Sequence, residues 1–486
     1  MARRIKPFTA EMELIDAASD GRAVARHEGQ VIFVEGGVPG DVADIHVFRK
    51  HKKSPLGRIE VMKQPSPYRT EAQCKHFENC GGCKWQHMTY EGQLAYKEKQ
   101  VRDTIERIGK VEVAEHLPIL GVDEPFFYRN KLEFSFANKA YLTKEDMPRR
   151  DEIDHRVLGF HAPGFFDKVL PIEECMLQLP IVNDIRNELQ RYTREQEIEY
   201  YDHREHTGIM RSVTFRSSIA TGELMMILVV AKDDQEMIDG IFGNLAEKFP
   251  EIDHFIWIHS EKLNSSYNDL PYKIWRGKEY LTEKLENYEF RVRPVSFFQT
   301  NPKQAEALYG VVRDFLKETL AKSGGIHETI YDLYSGTGSI GIFVSEYARK
   351  IVGIEYVESA VADASENVKA NGLPEDKFKF FAGDMKKILT DELTQREGHP
   401  AVVIADPPRQ GMDPKVVRQI LKVSPDYVIY VSCKPATQAR DLEMMDRFYS
   451  VEKMRPVDMF PHTGHVENVV LLKRRDTPLP PPAPKE

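Results

Sequence analysis

The sequence predicts a multidomain protein with three parts: an N-terminal OB-like β-barrel, a central β-rich α+β domain, and a C-terminal α/β domain with a Rossmann-like sheet. A chain of 486 residues is long enough for two to four domains. Short apolar runs alternate with glycine turns near the N-terminus, which is typical of a small barrel. Near the C-terminus, β-prone runs that end in acidic residues alternate with helical segments, as in a parallel sheet that binds a nucleotide.

The composition is that of a globular protein without an export signal. Hydrophobic residues make up 41% of the chain and charged residues 29%. No apolar run reaches transmembrane length, and residues 1–6 are not followed by the apolar core of a signal peptide. Five cysteines are too few, and odd in number, for a secreted disulfide scaffold. We therefore expect a cytoplasmic, monomeric protein with no membrane partner. The net charge of −9 does not by itself indicate a nucleic-acid partner.

The first predicted domain, residues 1–66, consists of short strands. Strand-like runs cover residues 11–15, 21–25, 31–34 and 42–47, and glycines separate several of them. Regular short strands with turn signals between them predict a small closed barrel of the OB type.

Three cysteines lie close together after this segment. Cys74, Cys80 and Cys83 are spaced like soft-metal ligands of an intracellular protein. A fourth ligand must then be Cys175 or Cys433, the remaining cysteines of the chain. Four thiolates suit either a zinc ion or a [4Fe–4S] cluster, and the spacing departs from that of radical enzymes.

The central domain, residues 67–292, is predicted to be rich in strands. Its N-terminal part carries a helix at about residues 89–108, which Gly109 ends and which we expect to pack on the C-terminal domain. Residues 127–136 alternate between polar and apolar side chains, as a half-buried strand does. Arg129 in this run either binds a phosphate or base edge or is an ordinary exposed charge.

The C-terminal domain, residues 293–475, carries a nucleotide-binding pattern. A strand runs into the turn Gly336-Thr337-Gly338 and then into a helix, so the backbone can approach a ligand closely. The next strand ends in Glu355, a position suited to ribose hydroxyls. Later strands end in Asp384 and Asp406. The third glycine of a pyrophosphate site is missing, which favours S-adenosylmethionine over a dinucleotide. The alternative is another doubly wound nucleotide-binding protein.

A solitary cysteine ends the last apolar run of this domain. Residues 427–431 predict a buried strand, after which come Ser432-Cys433-Lys434-Pro435. Such a cysteine is either a small core residue or a nucleophile. Methylation at C5 of a pyrimidine requires a thiolate that adds to C6 and a base that removes the C5 proton. Cys433 and the later Glu467 are residues of the types that this chemistry needs.

These motifs together resemble the TRAM-containing RNA (uracil-C5)-methyltransferases of the TrmA/RumA type. The C-terminal motifs occur in the family's order: 296–299, 332–338, 406–409, 432–433 and 465–467. The barrel segments 21–25 and 34–41 and the cysteine motif add to the resemblance. Lys434 departs from the asparagine that commonly follows the nucleophile in the family.

The resemblance implies roles for individual residues. Cys433 becomes the nucleophile and Glu467 the base. Contacts to S-adenosylmethionine are implied for Gln299, Tyr334, Ser339, Glu355, Asp384 and Asp406. The [4Fe–4S] ligands become Cys74, Cys80, Cys83 and Cys175, which leaves Cys433 free. Arg129 and Phe297 are implied on the substrate side, although core packing is the alternative for Phe297. Residues 476–486 are expected to be a disordered Pro-rich tail.

The expected activity is transfer of a methyl group to C5 of a uridine in RNA, with 23S ribosomal RNA as the substrate. Transfer RNA is the alternative substrate, and the sequence does not name the nucleotide. A DNA cytosine-C5 methyltransferase is a further alternative, but the Pro-Cys motif of those enzymes is missing. An RNA-binding ribosome-assembly factor without catalysis is the alternative of another class, which the presence of both Cys433 and Glu467 disfavours.

Overall fold

The computed structural model describes residues 6–51, 54–322 and 324–476, so the predicted tail lies outside the described residues from position 477 onward. The N-terminal segment forms a closed barrel in which β1 pairs with both β2 and β4. Alternate side chains such as Leu14, Ala25 and Val34 fill its interior. The predicted closed barrel is therefore confirmed. Its strands are β1 Phe8–Ala17, β2 Ala23–His27, β3 Gln30–Glu35, β4 Val42–His51 and β5 Ser54–Gln64.

Two helices and a short strand follow the barrel. Helix α1 is Phe77–Cys80, helix α2 is Tyr90–Asp103 and strand β6 is Val113–His116. The side chain of Thr89 caps α2 by accepting from the backbone N–H of Gly92, and a π-helical turn extends the helix to Ile108. The apolar side of this helix joins the core of the C-terminal sheet.

A seven-stranded sheet forms the middle of the chain in the order β13-β12-β11-β10-β7-β8-β9. Its central strands β10 and β11 are buried along their whole length. One face packs on helices α3 and α4, and the other contributes to the core that contains α5. The elements are β7 Lys131–Ala137, β8 Val157–His161, β9 Val169–Pro171, α3 Pro180–Glu195, β10 Met210–Ser217, β11 Leu224–Val230, α4 Gln235–Lys248, β12 His254–His259 and β13 Lys273–Arg276.

The C-terminal part is a Rossmann-like sheet of eight strands in the order β18-β17-β16-β19-β20-β22-β21-β6, preceded by the hairpin β14–β15. Strands β16 to β20 are parallel, and β22 is antiparallel to its neighbours β20 and β21. The elements are β14 Leu281–Leu285, β15 Tyr288–Val292, α5 Pro302–Thr319, β16 His327–Leu333, α6 Ser339–Phe343, β17 Ala348–Glu355, α7 Glu358–Ala370, β18 Phe378–Ala382, α8 Met385–Ile388, α9 Asp391–Glu397, β19 Val402–Ala405, α10 Pro414–Val423, β20 Tyr427–Ser432, α11 Pro435–Met445, β21 Tyr449–Val457 and β22 Glu467–Arg474.

The strand order determines where a ligand can bind. Strands β17 and β18 lie on one side of β16, whereas β19 and β20 lie on its other side, so the order of the strands switches between β16 and β19. Such a switch point opens a crevice at the carboxyl ends of the strands. The loops after β16, β17, β18, β19 and β20 all leave from this edge. None of the described helices is both long and apolar enough to cross a lipid bilayer.

Candidate active site

A cavity of about 1460 Å³ lies at the carboxyl ends of the parallel strands. It brings together the residues that the sequence singled out for the cofactor, the nucleophile, the base and the substrate, although the sequence separates them by more than three hundred positions. The predicted residues that line it are Arg129, Phe297, Gln299, Tyr334, Ser339, Glu355, Asp384, Asp406, Cys433 and Glu467.

The glycine turn after β16 is tied to the end of β17. Tyr334, Gly336 and Gly338 all have positive φ angles, 62°, 52° and 77°, so the backbone turns sharply between strand and helix. The backbone N–H of Gly336 donates to Oε2 of Glu355 over 3.1 Å. A Cβ atom added at Gly338 would lie 3.0 Å from the Cβ of Ala364, which is closer than an ordinary van der Waals contact. The backbone of this turn therefore faces the cavity, and the hydrogen bond from Gly336 holds Glu355 beside it.

Three further acids surround this turn. Asp384 is the N-cap of α8 and accepts from the backbone N–H of Lys386 over 3.0 Å. Burial raises the pKa of Asp406 to about 7. Asp332 is fully buried at the end of β16, where burial also raises its pKa to about 7, and its Oδ2 accepts from the N–H of Gly341 over 3.0 Å. Acidic strand ends of this kind suit ribose hydroxyls and amino groups of a nucleoside.

Two polar contacts complete the predicted cofactor side. The hydroxyl of Ser339 lies 2.9 Å from the hydroxyl of the buried Tyr309. The backbone carbonyl of Gln299 accepts from Nδ2 of Asn130 over 3.2 Å, which ties the segment before α5 to the segment before β7.

Cys433 and Glu467 lie at facing ends of adjacent strands. Strand β20 ends at Ser432, which pairs with Asn468 of the antiparallel strand β22. Cys433 is the residue after Ser432 and Glu467 is the residue before Asn468, so both lie next to this last pair at the same end of the two strands. Burial raises the pKa of the Cys433 thiol to about 11, and the charges of Glu467 and Asp406 add to this effect. Burial likewise raises the pKa of Glu467 to about 8, with a further contribution from Asp406. A thiol and a carboxyl group thus face one cavity, each in an environment that disfavours its anion.

The positive charge of Arg409 counteracts the effect of these acids on the pKa values of Cys433 and Glu467. Arg409 follows Asp406-Pro407-Pro408 and lines the cavity, and its charge lowers the pKa values of both Cys433 and Glu467. The carbonyl oxygen of Arg409 accepts from the hydroxyl of Thr437 over 3.2 Å, which joins its loop to the first turn of α11. In the sequence, Arg409 was placed in the family motif 406–409 but was given no role of its own.

The two residues that were predicted on the substrate side, Arg129 and Phe297, both line the cavity. The guanidinium of Arg129 is 5.2 Å from the ring of Phe460 and 5.9 Å from that of Tyr128. Phe297 is 72% exposed, whereas its neighbour Phe298 is 6% exposed and belongs to the core. Core packing therefore accounts for Phe298 but not for Phe297.

Comparisons with known proteins agree with this geometry. The family model described as tRNA (uracil-5-)-methyltransferase matches residues 269–475. An RNA methyltransferase of Bacteroides thetaiotaomicron is 45% identical over 94% of this chain and 100% of its own length, and one of Porphyromonas gingivalis is 44% identical over 95% and 99%. The chain belongs to the S-adenosylmethionine-dependent RNA uracil-5-methyltransferase family.

A solved structure from this family extends the similarity to the whole fold. The tRNA (uracil-54, C5)-methyltransferase of Pyrococcus abyssi, solved with S-adenosyl-L-homocysteine, has a TM-score of 0.71 and 26% identity to this chain. The match covers 95% of this chain and 100% of the other, so it includes the barrel and the central sheet as well as the methyltransferase sheet.

The family member described here also brings its N-terminal cysteines together. Burial raises the pKa of Cys83 to about 12, and the neighbouring thiols of Cys175, Cys80 and Cys74 raise it further, whereas a hydrogen bond with Gln86 opposes them. Cys175 thus approaches the three cysteines of the sequence motif from more than ninety positions away. Within residues 6–51, 54–322 and 324–476, no group of three or more His, Cys, Asp or Glu side chains is placed to hold a metal ion.

Proposed function

We propose that this protein methylates C5 of a uridine in RNA, with Cys433 as the nucleophile and Glu467 as the base. The observation that carries the proposal is the meeting of this thiol and this carboxyl group at the ends of β20 and β22, inside the cavity that the glycine turn opens. A catalytic base has to lie within reach of the proton that it removes, and this arrangement supplies one beside the nucleophile.

The reaction follows from these two groups. The Cys433 thiolate adds to C6 of the uracil, so electron density moves to C5 and O4. Bound S-adenosylmethionine would supply an electrophilic methyl group to C5 and would leave as S-adenosyl-L-homocysteine. The Glu467 carboxylate then removes the C5 proton, the bond between C6 and Sγ breaks, and the thiolate is released. The positive charge of Arg409 favours the anionic forms of both residues.

We assign cofactor binding to one side of the cavity. The turn at 336–338 leaves space for a ligand against its backbone, and Glu355 beside it suits the ribose hydroxyls. The remaining proposed contacts are Gln299, Tyr334, Ser339, Asp384 and Asp406. On the substrate side, we assign Arg129 and the exposed ring of Phe297 to the RNA. The target base must leave its stack to reach Cys433.

The first test separates the two catalytic roles. Cys433→Ala should abolish methyl transfer, because no thiolate is available for C6, while RNA affinity stays within about threefold. Glu467→Gln should instead accumulate a covalent RNA adduct that survives a denaturing gel, because the C5 proton stays in place. Wild-type turnover by Cys433→Ala would exclude the nucleophile role. Absence of an adduct with Glu467→Gln would exclude the base role.

We propose 23S ribosomal RNA as the substrate, recognised in part by a TRAM-type barrel at residues 1–66. The family resemblance supports this choice. Transfer RNA is the second candidate, favoured by the similarity to the Pyrococcus abyssi enzyme and by the description of the matching family model. Mapping of 5-methyluridine in ribosomal and transfer RNA from cells that lack this protein decides between them. Loss of the modified nucleotide from one RNA alone identifies the substrate.

We also propose a [4Fe–4S] cluster on Cys74, Cys80, Cys83 and Cys175. The electrostatic coupling of Cys83 to the other three supports a common site. Each thiolate of such a cluster binds a different iron, so the sulfurs stand farther apart than around a single ion. Protein purified without oxygen should contain about four irons per chain, and Cys80→Ser should lose most of them. One zinc ion per chain in place of iron would contradict this assignment.

A further inference from the structure

The loop that leads to Glu467 is held by residues that lie more than three hundred positions before it in the sequence. This segment, residues 458–466, connects β21 to β22 and ends at the proposed base, so we call it the base loop. Phe460, Thr463 and His465 of the base loop line the cavity. The position of Glu467 therefore depends on what fixes this loop.

The cysteine loop, which we define as residues 74–87, contacts the base loop directly. The backbone N–H groups of Lys84 and Trp85 both donate to the carbonyl oxygen of His462, over 2.7 and 3.1 Å. These two residues follow Cys83 immediately. His462 lies only five positions before Glu467, and its φ of 64° is a left-handed conformation that a histidine adopts only when its surroundings hold it there.

Gln93 of helix α2 joins the two loops. Its Oε1 accepts from the backbone N–H of His462 over 2.8 Å, and its Nε2 lies 3.2 Å from the Nδ1 of the same residue. Nε2 also donates to the carbonyl oxygens of Trp85 and Met88, over 3.0 and 2.9 Å. Gln93 is fully buried. One amide group thus fixes the backbone of the cysteine loop and of the base loop at the same time.

Lys97, one turn farther along α2, fixes the start of the base loop. Its Nζ is 2.6 Å from Oδ1 of Asp458 and donates to the carbonyl oxygen of Phe460 over 3.0 Å, and both charged side chains are fully buried. The hydroxyl of Tyr90 donates to the other oxygen of Asp458 over 3.0 Å. A buried pair of this kind holds its geometry strongly, because loss of either partner leaves an uncompensated charge.

We infer that Gln93 and Lys97 are positioning residues for Glu467, and that the cysteine loop shares this role through its direct contact with His462 and its hydrogen bond from Gln93. The inference rests on the proposed function. Cys433 is held separately, by β20 and the start of α11. Disturbance of the base loop should therefore slow proton removal and release of the thiolate, while addition of Cys433 to C6 and transfer of the methyl group proceed.

The test compares Gln93→Leu and Lys97→Met with matched controls on the same helix. Gln100→Leu and Lys99→Met change the same residue types at positions whose side chains make no hydrogen bond or ion pair with the base loop among the described residues. Lys99 pairs with Asp16 and Asp103 at the surface. Purified proteins react in a single turnover with an RNA substrate that contains uridine, and the covalent adduct is followed over time on denaturing gels. RNA affinity is measured in parallel.

We expect the adduct to decay at least about tenfold more slowly in Gln93→Leu and Lys97→Met than in wild type, since a displacement of about 1 Å can cost about a hundredfold in rate. Its rate of formation and the RNA affinity should stay within about threefold of wild type, and both controls should behave as wild type does. Decay is measured on adduct that has already formed, so molecules that fail to fold do not contribute to it.

An RNA that contains 5-fluorouridine separates this inference from the proposed function. Fluorine at C5 cannot be removed as a proton, so wild-type protein should accumulate adduct if Cys433 adds to C6. Failure of the wild type to do so would overturn the proposed function. Adduct formation by the wild type, together with unchanged decay in the two variants, would overturn only the positioning role. Variants that form no adduct with either RNA would also overturn it.

Discussion

Among single residues, the balance between one cation and several acids governs the candidate site. Burial raises the pKa values of Cys433, Glu467 and Asp406, and the charge of Asp406 adds to the effect on Cys433 and Glu467. The proposed reaction needs two of them as anions, the thiolate and the Glu467 carboxylate. Arg409 is the cation whose charge acts on both. We therefore expect Arg409 to set the pH range of activity.

Arg409→Gln should shift the pH dependence of methylation upward. The carboxylate fraction of Glu467 grows as the pH rises through its pKa of about 8, so wild-type kcat/KM should increase from pH 6 to pH 9. Without Arg409 the pKa of Glu467 rises, and activity at pH 7 should fall about tenfold for each pH unit by which this pKa increases. Lys422→Gln, which removes an exposed lysine paired with Asp391, is the control. A pH profile that Arg409→Gln leaves unchanged would contradict this role.

Among secondary-structure elements, the sequence predicts best the buried strands and those helices whose pattern is contained in one short stretch of the chain. The apolar runs at 329–333, 351–355 and 427–431 coincide with β16, β17 and β20, because strands covered on both faces have continuous apolar sequences. The positions of the residues that end these strands could also be predicted, because parallel strands bring their carboxyl ends to the same edge of the sheet. The predicted helix at about 89–108 is α2 with its π-helical extension.

Contacts between distant segments could not be predicted in this way. Strand β6 pairs with β21, more than three hundred residues away, and its four residues carry no distinct apolar pattern. Gln93 and Lys97 lie on a helix whose periodicity indicates only which face is buried, not which backbone groups that face meets. Arg409 was visible in the sequence, but its effect depends on neighbours that the fold brings together.

Gly464→Ala tests the contact between the base loop and the turn after β1. A Cβ at Gly464 would lie 2.5 Å from the carbonyl oxygen of Ser19, so one of the two backbones must move. We expect a loss of about 1–3 kcal/mol in the free energy of unfolding, together with slower methylation. Gly243→Ala in α4 is the control, since nothing lies within 4 Å of its Cβ and alanine favours a helix. Equal melting temperatures for Gly464→Ala and wild type would contradict a tight contact.

For the whole molecule, the buried acids in and near the cavity make stability depend on pH. Asp332, Asp406 and Glu467 hold their protons in the folded state up to about pH 7 to 8, whereas in the unfolded chain they ionise near pH 4. The folded state thus binds more protons than the unfolded state between these values. The contribution of these three acids to the free energy of unfolding should therefore fall as the pH rises from about 4 to about 8.

Asp332→Asn isolates one of these contributions. Oδ1 of Asp332 is buried without a hydrogen-bond partner among the described residues, whereas Oδ2 accepts from Gly341, a bond that the asparagine oxygen can replace. Because asparagine cannot ionise, the gain in melting temperature relative to wild type should be larger at pH 8 than at pH 5. Melting curves at both pH values measure this, with the exposed Asp314→Asn as the control. Asp406 and Glu467 keep part of the pH dependence in the variant, so its melting temperature should still fall between pH 5 and pH 8, but by less than in wild type. An equal fall in both proteins would mean that Asp332 is already ionised in the folded state.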